Sequence, residues 1–172
     1  NIVDGEDLFT QQWPSAGDFE EGAAVVGDTA DSGLTGTAGA TESLSFRLQG
    51  DPSAASTDCA GNLIPTATGD IVEMTYYVDD DNQLRCQTGG NAASPGSVVL
   101  VSGIERMKVL YGVAGATLPA VAVKYVDAAS MTTADWADVV TVRLALLTVS
   151  DNSPLGADNR DYQLLGETVT KG

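Results

Sequence analysis

Over residues 42–150 the side chains alternate between apolar and polar in one segment after another, which is the period-two mark of half-buried β-strands. Leu44, Phe46 and Leu48 alternate with Ser43, Ser45 and Arg47, placing the three apolar residues on a core face. Val72, Met74, Tyr76 and Val78 do the same against Ile71, Glu73, Thr75 and Tyr77. Asp79-Asp80-Asp81-Asn82 then reads as a turn, and Gln83 to Cys86 as the returning strand of a hairpin. Leu84 and Cys86 share a face of that strand. Val98 to Val101 makes a further strand, and Met107, Val109 and Tyr111 alternate with Arg106, Lys108 and Leu110. Val121, Val123 and Tyr125 form another alternating set. The strongest strand runs from Val139 to Val149, with Val140, Val142, Leu144 and Leu146 on its core face and Arg143 on the other.

Between these strands the chain is polar and turn-rich. Gly50 to Gly61 and Gln87 to Gly96 read as loops, and Thr133 to Asp138 as one helical turn capped by Thr133. Residues 1–40 are irregular apart from a brief strand at Ala23 to Val26, and Gly27 to Ala40 reads as a long loop. Trp13 and Phe19 are expected to tuck onto the core. Residues 151–172 are polar, with one weak strand around Tyr162 to Leu165. The expected architecture is one domain over 1–172, mainly β, built as a single antiparallel sheet with long loops and a short helical turn. A lone sheet must cover its apolar face, and no segment of the sequence offers itself as that cover.

Charge narrows the partners. Twenty-four acidic residues against eight basic ones give a net charge of −16, with no histidine. No basic stripe exists to neutralise phosphates, so nucleic acid and anionic lipid surfaces are excluded. A strongly hydrated surface or adaptation to a salty medium would each account for the imbalance. The longest apolar runs, such as Val98 to Val101, fall far short of the ~20 residues of a spanning helix. The acidic start, Asn1 to Asp7, is unlike a basic leader.

Enzymatic chemistry fails on inventory. Without histidine the common Ser–His and Cys–His nucleophile pairs cannot form, and no nucleophile elbow, P-loop or dinucleotide fingerprint is present. No catalytic residue is assigned. Calcium is the one metal with a case: Asp79, Asp80 and Asp81 form one anionic turn, and Asp151, Asp158 and Asp161 a second. Neither has EF-hand spacing, since Leu84 stands where the loop needs glycine, and a hairpin turn is the simpler reading of Asp79 to Asn82. No other cofactor is expected. Cys59 and Cys86 are the two cysteines, in the polar surroundings of an exported domain, and read as a disulfide more readily than as two separate buried thiols. Closing that loop stabilises by roughly 3.5 kcal/mol on the chain-entropy model.

Several segments, in order, resemble one family. Val101-Ser102-Gly103-Ile104-Glu105-Arg106-Met107-Lys108-Val109-Leu110-Tyr111-Gly112 is similar to a stretch of PilW-like minor type IV pilins. Lys124 to Ala129, Asp135-Trp136 and Val139 to Leu147 follow in the family's order, and Asp58-Cys59, Tyr76-Tyr77-Val78 and Leu84-Arg85-Cys86 resemble its cysteine-bearing region. The resemblance covers roughly residues 42–150. It implies a pilin-like antiparallel head, α+β in the full-length protein, whose long N-terminal helix anchors in the membrane and packs on the sheet. Neither that helix nor a prepilin cleavage motif stands in this sequence, so the chain reads as a soluble head or part of a longer protein. The implied role is pilus assembly or initiation at or near the tip, at the cell surface or, before assembly, the periplasmic side of the inner membrane. The implied partners are other minor pilins, the major pilin and a tip adhesin. A secreted adhesin or carbohydrate-binding sandwich is the alternative, and its ligand surface would have to come from Trp13, Trp136 or the Asp turns.

Overall fold

A computed structural model describes residues 24–28, 42–50, 55–66, 70–90, 92, 96–116, 120–149 and 161–170. Its strands are β1 (Val25–Asp28), β2 (Ser43–Leu48), β3 (Val72–Val78), β4 (Gln83–Gly90), β5 (Gly96–Ser102), β6 (Ile104–Ala114), β7 (Ala122–Val126), β8 (Val139–Thr148), β9 (Asp161–Leu164) and β10 (Glu167–Thr170). A single α-helical turn among the described residues, α1 (Thr133–Ala137), follows a 3₁₀ turn at Ala128–Ser130. The protein is mainly β, and every pairing is antiparallel. The strands form three sheets where the alternation suggests one: a five-stranded meander β1-β2-β3-β4-β5, a three-stranded sheet β7-β6-β8, and the hairpin β9-β10.

The chain passes from the first sheet to the second at Gly103. Its φ of +79° is a left-handed conformation that suits glycine, and a Cβ there would press on the Val149 carbonyl. Residues 102 and 104 thus belong to different sheets, and an apparently continuous apolar run becomes two strands.

The second sheet supplies a cover that the pattern of the sequence does not reveal. Met107, Val109 and Tyr111 of β6 pack against Leu44 and Val78 of the first sheet, with Ile104 at the corner. The Tyr111 hydroxyl donates to the Ser43 carbonyl at 3.2 Å. Gly27 of β1 lies directly against that ring, leaving no room for a Cβ. The other half of the same face is covered by the loop carrying Cys59: Ile64 packs on Val72, Met74, Cys86 and Ala92. Each cover buries a cluster of its own.

Several strands differ from their alternation. β4 continues to Gly90, four residues past the predicted end, because Thr88 pairs on both sides, with Met74 and with Gly96. Its hydroxyl also bridges to the Gly96 backbone. In β2 the expected pattern inverts at its end: Arg47 is buried and Leu48 is exposed. Pairing with β1 stops at Phe46, so Leu48 has a neighbouring strand on one side alone. Arg47 stands opposite Glu73; burial lowers its pKa and Glu73 opposes that.

β8, the strongest strand by pattern, is an edge, and Val140 and Leu144 of its predicted core face are exposed. A bulge between Gly112 and Val113 sets Val140 out of register. Val121 and Val123 are exposed as well, on and beside the opposite edge strand β7. Behind them Tyr125 crosses Gly112, and the Arg143 guanidinium stacks 3.6 Å from its ring centre.

The helical turn begins one residue earlier than predicted. Thr132 is the N-cap and forms a capping box with Asp135: its hydroxyl accepts from the Asp135 amide, and the carboxylate accepts from the Thr132 amide at 2.9 Å. In the C-terminal segment the weak strand gains a partner, and β9 and β10 turn through Leu165 and Gly166, both with positive φ. Trp13 and Phe19, and all of the predicted loop Gly27 to Ala40 except Gly27 and Asp28 of β1, lie outside the described residues.

Candidate functional site

Beside the second sheet an open apolar groove of about 280 Å³ crosses the first sheet. Its floor is Leu44, Phe46, Tyr76 and Leu84, one residue or two from each of β2, β3 and β4. Its wall is Met107, Val142 and Leu144 from β6 and β8. Phe46 and Tyr76 meet edge to face with ring centres 6.0 Å apart. Burial pushes the Tyr76 hydroxyl pKa up.

The register explains why the wall is half dry. Val109 pairs with Leu144 on one face of the second sheet, yet Val109 is 1% exposed and Leu144 is 48% exposed. The central strand β6 reaches the first sheet; the edge strand β8 overhangs it. What remains is an apolar trough with almost no polar lining, on a protein whose net charge is −16. It offers area for another apolar surface.

The cluster that Tyr76 borders is held by covalent and polar ties. Cys59 and Cys86 are joined as a disulfide with their Cα atoms 6.3 Å apart. Next to it the buried Asp58 carboxylate accepts from the amides of Ala60 and Asn62, both at 2.9 Å, and Thr57 bridges to Leu63. These contacts organise the loop and leave Leu63 exposed at the bridge to Thr57. Asp58 is a structural residue, and in the sequence it stands out only beside Cys59 in the family resemblance.

The other predicted ligands take different roles. Asp79 accepts from the Asp81 and Gln83 amides and pairs with Arg85 at 3.3 Å, so its oxygens are engaged in closing the β3–β4 turn. Asp81 stands exposed on that turn, with Asp80. Asp161 begins β9, and Asp151 and Asp158 lie outside the described residues. Among the described residues no three acidic or cysteine side chains are grouped to hold a metal ion. Trp136 packs edge to face on Tyr111, with centres 4.8 Å apart, as part of the core cluster and not as a stacking platform. Trp13 lies outside the described residues.

A buried ionic cluster was not legible at all. Glu42, just ahead of β2, accepts from Lys108 at 2.6 Å and from the Val109 amide, and Lys108 also reaches Glu167 of β10 at 2.7 Å. It joins all three sheets through one ammonium group. No helix among the described residues is long and apolar enough to cross a membrane.

Compared with known protein families, residues 75–172, more than half of the chain, match PilW, the Type IV Pilus-assembly protein W family. The match runs from within β3 through β10 and extends past the segment whose motifs carry the resemblance, while starting downstream of Cys59. No curated protein and no solved structure was found to match the chain.

Proposed function

The chain belongs to the Type IV Pilus-assembly protein W family, and on that footing we propose that it is a minor pilin that helps initiate pilus assembly at or near the tip. The observation that carries this reading is the open apolar trough over Leu44, Phe46, Tyr76 and Leu84. An amphipathic helix fits such a surface: one apolar stripe on the floor, its polar face to water. In this proposal the occupant is a helix of the kind that pilin heads carry N-terminally, and it completes the core beside the second sheet. The head then presents its loops and strand edges to other minor pilins, the major pilin and a tip adhesin, outside the cell or on the periplasmic side of the inner membrane. The trough is lined by apolar side chains with the Tyr76 hydroxyl as its one polar side-chain group, a lining that supports a role in assembly.

The test is made in the producing cell with Leu144→Asp. Leu144 is half exposed, so the change leaves the purified head folded, with its melting temperature within a few degrees of the parent. Piliation seen by electron microscopy is expected to fall to the level of a strain lacking the gene. Normal piliation with Leu144→Asp would overturn the trough as the docking surface. Normal piliation in the strain lacking the gene would overturn the assembly role itself.

A further inference from the structure

Four strands end the two larger sheets: β1 and β5 flank the first, β7 and β8 the second. Unpaired edges invite pairing with other chains, and proteins blunt them by brevity, charge, proline or bulges. β1 is only four residues long, β7 carries Lys124, and β8 carries Arg143. β5 is different. It runs for seven residues, Gly-Ser-Val-Val-Leu-Val-Ser, with no charge and no proline. Val99, Leu100 and Val101 are 45%, 42% and 46% exposed, and among the described residues no strand pairs with its outer side. Its one irregularity is a bulge: Arg85 pairs with Val99 and Leu84 with Val101, leaving Leu100 as the extra residue.

We propose that the outer edge of β5 accepts an extended segment of a different protein, antiparallel to it, with an uncharged apolar body and a basic N-terminal end. The backbone supplies the affinity, because each outward amide and carbonyl of β5 gains a partner. The exposed valines supply selectivity on both faces. Charge fixes the ends. Ser102 pairs with Gln83, and the Asn82 carbonyl accepts from the Ile104 amide, so the Asp79–Asn82 turn sits where β5 finishes. A strand antiparallel to β5 passes its N-terminal end beside the exposed Asp80 and Asp81. A second copy of this chain is the poorer occupant: it would bring −16 against −16, and its own edge carries the same bulge. The inference does not depend on the trough or on what fills it.

The probe is a short synthetic peptide with two lysines at its N-terminus followed by alternating valine and threonine, tested against the whole chain by calorimetry. Hydrogen exchange is followed in parallel. Saturable binding is expected, with slowed exchange confined to β5 and loss of binding in Val99→Lys. That variant keeps the parent melting temperature because Val99 is nearly half exposed; Leu100→Lys serves if it does not fold. No binding, protection elsewhere, or unimpaired binding of a backbone N-methylated peptide would each overturn the proposal. A concentration-dependent dimer of the chain alone, abolished by Val99→Lys in sedimentation, would hand the edge to a second copy and overturn it too.

Discussion

Lys108 shows how much a single side chain carries in this molecule. Burial works against its charge, but the Glu167 and Glu42 carboxylates outweigh it, and its pKa lies above the ordinary lysine value. A raised lysine pKa means stability that is complete at neutral pH and is lost as the pH rises through the folded value, above 10.5. Lys108→Met leaves the buried Glu42 carboxylate bonded to the Val109 amide without its cation, and is expected to destabilise by about 3 kcal/mol. Glu167 is more than half exposed, so Glu167→Gln is expected to cost less than about 1 kcal/mol. Urea denaturation of the two variants checks the order; equal losses would show that burial of Glu42 is not what matters. None of this is readable in the sequence, where Lys108 alternates into the polar face and Glu42 merely opens a strand. The pattern reports which side a residue faces, not what stands there. Arg47 is the same case, counted as solvent-facing and found buried opposite Glu73.

At the scale of elements, local signals were legible wherever local chemistry decides the outcome. The β3–β4 hairpin follows from two alternating runs around Asp79 to Asn82, and Asn82 adopts the left-handed conformation that asparagine tolerates. β6 follows from its alternation, with Met107, Val109 and Tyr111 all buried. What failed was relational. Whether a strand is central or an edge depends on its neighbours, so the more apolar β8 ends outside and β6 inside. The β9–β10 hairpin lacked an Asn-Gly signal, because Leu165 takes the position a glycine or asparagine would mark.

The short α1 is held by its cap. Lys124, through its contact at 2.7 Å, and the bonds from Thr132 hold the Asp135 carboxyl well below its ordinary value of 3.8. A depressed carboxylate pKa contributes stability that is present above the unfolded value and withdrawn as the pH falls below it. Acidification below about pH 4 is therefore expected to loosen α1 and shift the fluorescence of Trp136, read in a Trp13→Phe background. Asp135→Asn should show the loosened signal already at neutral pH; an unchanged acid transition in that variant would remove Asp135 from the cap.

Among the described residues two covers lie on the larger sheet, and the sequence pointed to the need for a cover without revealing its source. The source is the chain itself, folded back at Gly103 on one side and pinned by Cys59–Cys86 on the other. Replacing both cysteines by serine is expected to lower stability by about 3.5 kcal/mol, in reversible denaturation under oxidising conditions. A loss below about 1 kcal/mol would mean that Ile64 and the Asp58 turn hold that cover unaided.

The disulfide also governs how the protein yields when pulled from its two ends. Force carried along the chain to Cys59 crosses to Cys86 through sulfur and does not draw out the backbone between them. The 27 residues of separation, about 90 Å of contour when drawn straight, stay out of reach of the load. A subunit built this way can stretch at its margins while the middle of its larger sheet keeps its length, and only a reductant makes that hidden slack available.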